Sequence, residues 1–485
     1  MQRPKYVLIY RRRRVFFDMK GLQRVALGMT VMFFVLSLGL VYWQVIKANS
    51  LLENPANPRL RLMESRVKKG EILDRNGQVL AQTKVTNGKT VRSYPEGEIY
   101  EPLIGYVTAQ HGSAGLEAAL AGWLLGIRSP TPAQAIDQLF EIPSQGDNVV
   151  LTLDSKIQQI AYNALKGKQG AAVAIDPRTG QVLALVSQPS FDPNSLDENW
   201  TEISKPGSTD LLNKAFSLFP PGSVMKVVTS KALFSAGINT SKLFDDKGST
   251  LINGQVISDE NTSGFGQINY DLAIAYSSNV YFATQTVKAG QKYFLSAVKA
   301  YGFGQKIPFL LDIPDSRITN KEEIPDQLST NLLAASAYGQ GQVLASPFHM
   351  ALITAGIANR GVMMTPYIVD RVLGPKQKVI YQAQPKPWLK PLTKAEADKI
   401  TGAMVTAVKV GTAAPGALSN VQVAAKTGSA QPGGNVQTHA WYIAFAPADK
   451  PQIAVAVLVE NGGAGGEASA PIAKKMIQEA LTEGL

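Results

Sequence analysis

Pro220-Pro221-Gly222-Ser223-Val224-Met225-Lys226, continued by VVTSKALFSAG to Gly237, reads as a chain break followed by a helix that ends at a glycine. Ser223 falls at the helix start. A serine and a lysine three residues apart share one helical face, about 5 to 6 Å between Cβ atoms, so the amine can reach the hydroxyl and take its proton. The positive end of the helix also favours an anion developing there. S-x-x-K is weak alone, since ordinary Ser and Lys usage gives about two chance matches in a chain of this length.

Two further motifs follow downstream. Ser277-Ser278-Asn279 sits between a helical stretch and apolar Val280-Tyr281-Phe282, and Lys426-Thr427-Gly428-Ser429 closes a strand-like run from Val421. Either one alone reads as loop polar groups or an exposed strand lysine. Together, S-x-x-K, S-x-N and K-T-G form the set used by serine acyltransferases that bind penicillin.

Upstream of the first box, Val149 to Leu153 is a strand signal, Asp154 a helix cap, and Ser155 to Gly167 an apolar-periodic helix. Ala171–Asp176 and Gln181–Ser187 form a hairpin around Pro177-Arg178-Thr179-Gly180. Trp441–Phe445 and Gln452–Glu460 are late strands, and Ala470–Leu481 is helical. Residues from about 190 to 400 read mainly as helix or loop. An early hairpin, a helical middle and late strands predict one antiparallel sheet with helices packed on it, an α+β layout.

The N-terminal part reads differently. Val25 to Ile46 carries no charge over 22 residues, which as a helix spans about 33 Å and crosses a bilayer. Eight basic residues in 1–24 face a single acid, Asp18, so the positive-inside rule places this tail in the cytosol and everything after Lys47 outside. The segment ends in Trp43-Gln44-Val45-Ile46-Lys47, without a small-residue cleavage site, and is read as an uncleaved anchor. That tail also holds most of the formal net charge of +11, so no general nucleic-acid groove is expected. The predicted organisation is a basic tail at 1–24, a transmembrane helix at 25–46, a stem at 47–147 and a catalytic domain at 148–485.

Other chemistries lack their residues. The chain has no cysteine, and His111, His349 and His439 are scattered outside any H-E-x-x-H or G-x-S-x-G pattern. His349 and His439 are expected to be local structural groups. Gly88-Lys89-Thr90 lacks the leading glycine of a P-loop, where Thr83 stands. No metal and no cofactor is expected.

Beyond the three boxes, KKGEILDRNGQVLA at 68–81 resembles the R-G-x-I-x-D-R-x-G-x-x-L-A element of class B penicillin-binding proteins, with Lys69 where arginine is usual. The segments at 112–120, 170–194, 338–351 and 438–447 are similar to segments of the same class, in its penicillin-binding protein A type. Val224-Met225 departs from the Thr-Phe common after the serine. The resemblance implies a penicillin-binding/β-lactamase-like serine transpeptidase domain, a monofunctional peptidoglycan D,D-transpeptidase that also binds β-lactams covalently. It implies Ser223 as nucleophile, Lys226 as general base and Ser277 as proton relay. Asn279, Lys426, Thr427 and Gly428 would bind substrate, and the backbone N–H groups of Ser223 and Ser429 would form the oxyanion hole. It further implies stem peptides as substrate and a membrane glycosyltransferase of the SEDS family, the FtsW and RodA group, as partner. A carboxypeptidase or β-lactamase-like hydrolase shares the boxes, and a non-catalytic scaffold or β-lactam sensor shares the fold.

Overall fold

The computed structural model describes residues 19–43, 47, 67–86, 89–128, 145–374, 377–434 and 436–484. Residues 1–18 of the basic tail, Gln44 to Ile46 at the end of the expected anchor, and 48–66, 87–88 and 129–144 of the expected stem lie outside them.

The inner strands of the central sheet are nearly continuous apolar runs, which is what a sheet covered on both faces requires. Five antiparallel strands stand side by side in the order 424–430, 439–446, 453–459, 170–175 and 182–188. The early hairpin and the late strands thus join in one sheet, as their patterns predict. Alternate residues feed two cores. Val173, Ala456, Ile443 and their neighbours face one, which holds the helix Pro347–Ala358. Ala172, Val457 and Tyr442 face the other, closed by the helices Ser155–Leu165 and Ala470–Thr482. Every residue of Pro347–Ala358 is buried, as a helix that is apolar on nearly every side demands. Phe348 packs there against Phe216 and Phe309, and its truncation to alanine would cost about 3–5 kcal/mol.

The helix Ser155–Leu165 begins where Asp154 accepts hydrogen bonds from the N–H groups of Lys156 and Ile157, at 3.0 and 3.3 Å. The middle of the chain is mostly helix and loop, but it also contributes small two-stranded pairs, among them 249–252 with 255–258 and 244–246 with 266–268.

A second, six-stranded sheet runs in the order 379–382, 369–373, 148–151, 72–73, 79–86 and 89–93. Its strands come from both sides of residue 147, with Ile72 and Val149 paired in parallel. Asp74 secures the junction: its carboxylate accepts from the N–H groups of Asn76 and Gln78 and from the Ser155 hydroxyl, the last at 2.6 Å. Beside it, Arg92 and Lys69 converge on the buried Glu117, with Arg92 Nε 2.6 Å and Lys69 Nζ 3.7 Å from its carboxylate. The residue at 69 therefore serves as a cation in this cluster although it is not arginine.

The N-terminal helix covers Met19–Val41 with no buried residue and a mean hydropathy of 2.0, long and apolar enough to cross a bilayer. It is already helical at Met19, six residues ahead of Val25, so Lys20 and Arg24 belong to the helix. A charged side chain can extend from a helix end to the interface, so the helical segment need not stop at the apolar border.

Candidate active site

Each box owes its place to a different element. Ser223 lies in a 3-10 turn, Gly222–Met225, and Lys226 opens the α-helix Lys226–Ser235. Val224 and Met225 are fully buried in the core, so their departure from Thr-Phe touches packing alone. Ser277 follows the helix Tyr270–Ala275 and has φ +64, a left-handed conformation that costs a non-glycine residue free energy and is concentrated at functional sites. Ser278 then caps the helix Asn279–Ala289, accepting from Tyr281 N–H. Lys426 and Thr427 belong to 424–430, an edge strand of the central sheet. Gly428 packs tightly there: a methyl group on it would stand 3.0 Å from Pro221 O. That close approach lays the edge strand against the turn bearing Ser223, with Ser429 next in line.

These elements meet at two buried amines. Lys226 Nζ lies 2.8 Å from Ser223 Oγ, 2.5 Å from Ser277 O, 2.8 Å from Asn279 Oδ1 and 3.2 Å from Ser277 Oγ. Lys426 Nζ donates to Ser277 Oγ at 2.8 Å and to Thr427 O at 2.9 Å. Ser277 Oγ is thus shared by both lysines, and Asn279 Nδ2 donates to Ser258 O at 3.0 Å.

Burial pushes Lys226 well below the ordinary lysine value, and the neighbouring charge of Lys426 lowers it further, against the opposing pull of Asp259, Asp246 and Glu260. A neutral amine has two N–H bonds and one lone pair. Ser277 O and Asn279 Oδ1 can only accept, so they take the two protons, and the lone pair is left for the Ser223 O–H. Lys426 is lowered by burial to about 7.

The boxes do not reveal what stands behind Asn279. Asp259 accepts from the N–H groups of Asn279 and Val280, and the Ser278 hydroxyl reaches both Asp246 and Asp259, at 2.5 and 3.3 Å. Both carboxyl groups are buried, and desolvation, followed by the facing Asp246, raises Asp259 to about 6. The only signal in the sequence is the hydroxyl between Ser277 and Asn279, and its partners lie 19 and 32 residues away.

The histidines stand apart from this cluster. His349 is fully buried with Nε2 2.9 Å from Tyr301 O, and burial lowers it to about 4. His439 accepts from Asn461 N–H through Nδ1. His111 stacks on Trp200 beside Asp197.

Comparison with known proteins extends the match beyond the site. The family described as "Penicillin binding protein transpeptidase domain" matches residues 170–478, and "Penicillin binding protein A dimerisation domain" matches residues 69–149. The peptidoglycan D,D-transpeptidase PbpA of Mycolicibacterium smegmatis is 33% identical over 495 residues, covering 96% of this chain and 99% of the relative. The peptidoglycan D,D-transpeptidase MrdA of Acinetobacter baumannii is 29% identical over 477 residues, covering 85% of this chain and 68% of the relative. Among solved structures, a ceftriaxone acyl-enzyme of penicillin-binding protein A from M. tuberculosis gives a TM-score of 0.80 at 32% identity, covering 87% of this chain and all of the other. Its penicillin G acyl-enzyme gives 0.78 at 32% identity, covering 86% and 100%. Likeness of this extent, over the stem as well as the sheet, leaves one assignment: the chain belongs to the penicillin-binding protein transpeptidase family, among the peptidoglycan D,D-transpeptidases of cell-wall synthesis.

Proposed function

We propose that the chain cross-links peptidoglycan stem peptides through an acyl-enzyme on Ser223. The observation that carries this reading is the Lys226 amine, placed 2.8 Å from Ser223 Oγ with both of its N–H bonds directed elsewhere. Ser223 would transfer its proton to Lys226 as Oγ bonds to the carbonyl carbon of the penultimate D-alanine. Backbone N–H groups of Ser223 and Ser429 would hold the resulting oxyanion. Ser277, between the two amines, would pass a proton to the departing nitrogen, and terminal D-alanine would leave. The amine of a neighbouring stem would then attack the ester, restoring the Ser223 hydroxyl and completing the cross-link.

Recognition follows from the same geometry. The donor peptide would lie along the open edge of 424–430, as an added strand. Asn279 would hold its amide, Lys426 and Thr427 its terminal carboxylate, and Gly428 would leave room for its backbone. A β-lactam would enter by the same route and remain as a stable ester, in line with the acyl-enzymes formed by penicillin-binding protein A from M. tuberculosis.

Labelled penicillin tests the ester, and the fate of the acyl group decides the acceptor. Covalent label together with dimeric muropeptides supports the transpeptidase; label with only trimmed monomers supports a carboxypeptidase. Rapid release of hydrolysed drug supports a β-lactamase, and absence of label overturns catalysis altogether in favour of a scaffold.

The organisation 1–24, 25–46, 47–147 and 148–485 is part of this proposal, as is one membrane crossing with a cytosolic N-terminus. Protease added to intact spheroplasts should destroy everything after Lys47, and protection of that region reverses the topology. A transpeptidase also needs nascent glycan beside its site, so a SEDS-family polymerase is proposed as partner of the anchor and stem. Thr30 and Ser37 offer small polar groups suited to helix contacts in lipid. Exchanging residues 25–46 for an unrelated membrane helix, and separately disrupting 74–77, should weaken co-purification. Unchanged binding by both chimeras would remove these segments from the interface.

A further inference from the structure

Thr412 belongs to none of the three boxes, yet it touches the third and the helix end that leads into the second. It follows Gly411, which ends the helix Lys394–Val410. The chain is pressed here against the last turn of Tyr270–Ala275: Thr412 N–H donates to Ala275 O at 3.0 Å, and a methyl on Gly411 would stand 2.1 Å from that oxygen. Ala275 is two residues ahead of Ser277. On its other side, Thr412 Oγ1 lies 2.5 Å from Thr427 Oγ1, on the residue next to Lys426. Its backbone is therefore pinned just ahead of the second box and its hydroxyl to the third.

Two hydroxyl groups own two protons, and the hydrogen bond between them uses one. Ala275 O is 3.5 Å from Thr412 Oγ1, too far to hold the other firmly. When Thr412 donates to Thr427, the Thr427 proton must point elsewhere, and the donation into its oxygen strengthens it as a donor. Thr427 is itself largely buried, whereas Thr412 is exposed.

We propose that Thr412 is a specificity-determining positioning residue, whose hydroxyl turns the Thr427 O–H outward onto the terminal carboxylate of the acyl donor. This rests on the assignment of Thr427 to that carboxylate. Loss of one oriented donor to a charged acceptor is expected to cost about tenfold in capture of the donor.

The test uses the full chain in detergent and two acylating agents: a fluorescent penicillin, which bears the carboxylate, and a thiolester that lacks it. Thr412→Val keeps the shape without the hydroxyl. It should lower the second-order acylation constant for penicillin about tenfold, through weaker capture and not a slower acylation step, and leave the thiolester rate unchanged. Thr412→Ser should restore the penicillin rate. Native penicillin acylation by Thr412→Val overturns the inference, and so does an equal loss with both reagents or a failure of serine to rescue. Thr427→Val separates the two claims: if it discriminates between the reagents while Thr412→Val does not, only the inference fails. If Thr427→Val does not discriminate either, the carboxylate assignment falls with it. Thermal melts of all three variants distinguish unfolding from lost recognition.

Discussion

The stem and the active site each bury two cations, and they treat them in opposite ways. In the stem, Arg92 and Lys69 are aimed at the carboxylate of Glu117, and Arg92 also donates to Gly70 O and Thr83 Oγ1. At the site, Lys226 and Lys426 contact hydroxyl, amide and carbonyl oxygens instead, and neither forms an ion pair among the described residues. Pairing keeps a buried charge in place; leaving it unpaired drives off its proton. Burial of the same kind therefore yields an ion-paired cluster in one region and amines of lowered pKa in the other, and the partner atoms decide which.

That contrast is most exposed to substitution at the nucleophile. Ser223→Ala should abolish covalent labelling by penicillin while the melting temperature stays near native, because the proposed ester forms on Ser223 Oγ, which lies nearer the Lys226 amine (2.8 Å) than Ser277 Oγ does (3.2 Å); persistent labelling of a folded variant breaks the assignment. Next in size, Lys226→Ala should slow acylation by roughly 10²–10⁴-fold, the usual worth of a positioned general base. Stopped-flow acylation at native speed would remove it from that role. In the stem the effect should appear on stability instead. Arg92→Ala leaves Glu117 buried beside a weakened partner set and should cost about 3–5 kcal/mol in denaturant unfolding, with the protein that remains folded acylating normally.

The smallest effect is one of pH. As the proposed general base Lys226 would act neutral, so its lowered pKa should let acylation persist to lower pH and fail only as pH drops through that lowered value. In its proposed role Lys426 would bind carboxylate as a cation, and with its pKa at about 7 that form is lost as pH rises. The second-order constant for penicillin should therefore decline above about pH 7, and that for a carboxylate-free thiolester should not. An alkaline decline shared by both would remove Lys426 from recognition.

Much of this was legible in the chain. The runs at 170–188 and 439–459 are apolar on both faces, so their membership of one covered sheet could be read without neighbours. Ser223 and Lys226 are three residues apart, so their contact is local. The strands at 369–373 and 379–382 were read as part of a helical middle, because their pairing with 148–151 is long-range and their faces are only partly buried. The same limit hid Asp246, Asp259 and Thr412. Each reaches the site through one turn of backbone whose partner is set by tertiary packing, and nothing in the spacing marks it. The left-handed Ser277 was hidden for another reason: a serine is not the residue that such a conformation favours.

The sheet that passes from 79–86 through 72–73 and 148–151 to 369–373 has a consequence for anyone who wants the catalytic half alone. A fragment begun at Asn148 would carry a strand stripped of its partner at Ile72, leaving a raw edge, and Ser155 would lose the carboxylate of Asp74. Raw edges recruit other chains, so such a fragment should be sticky and poorly recovered. A cut ahead of Val67 keeps the edge dressed. The two halves are separable in sequence but are cloth from one loom.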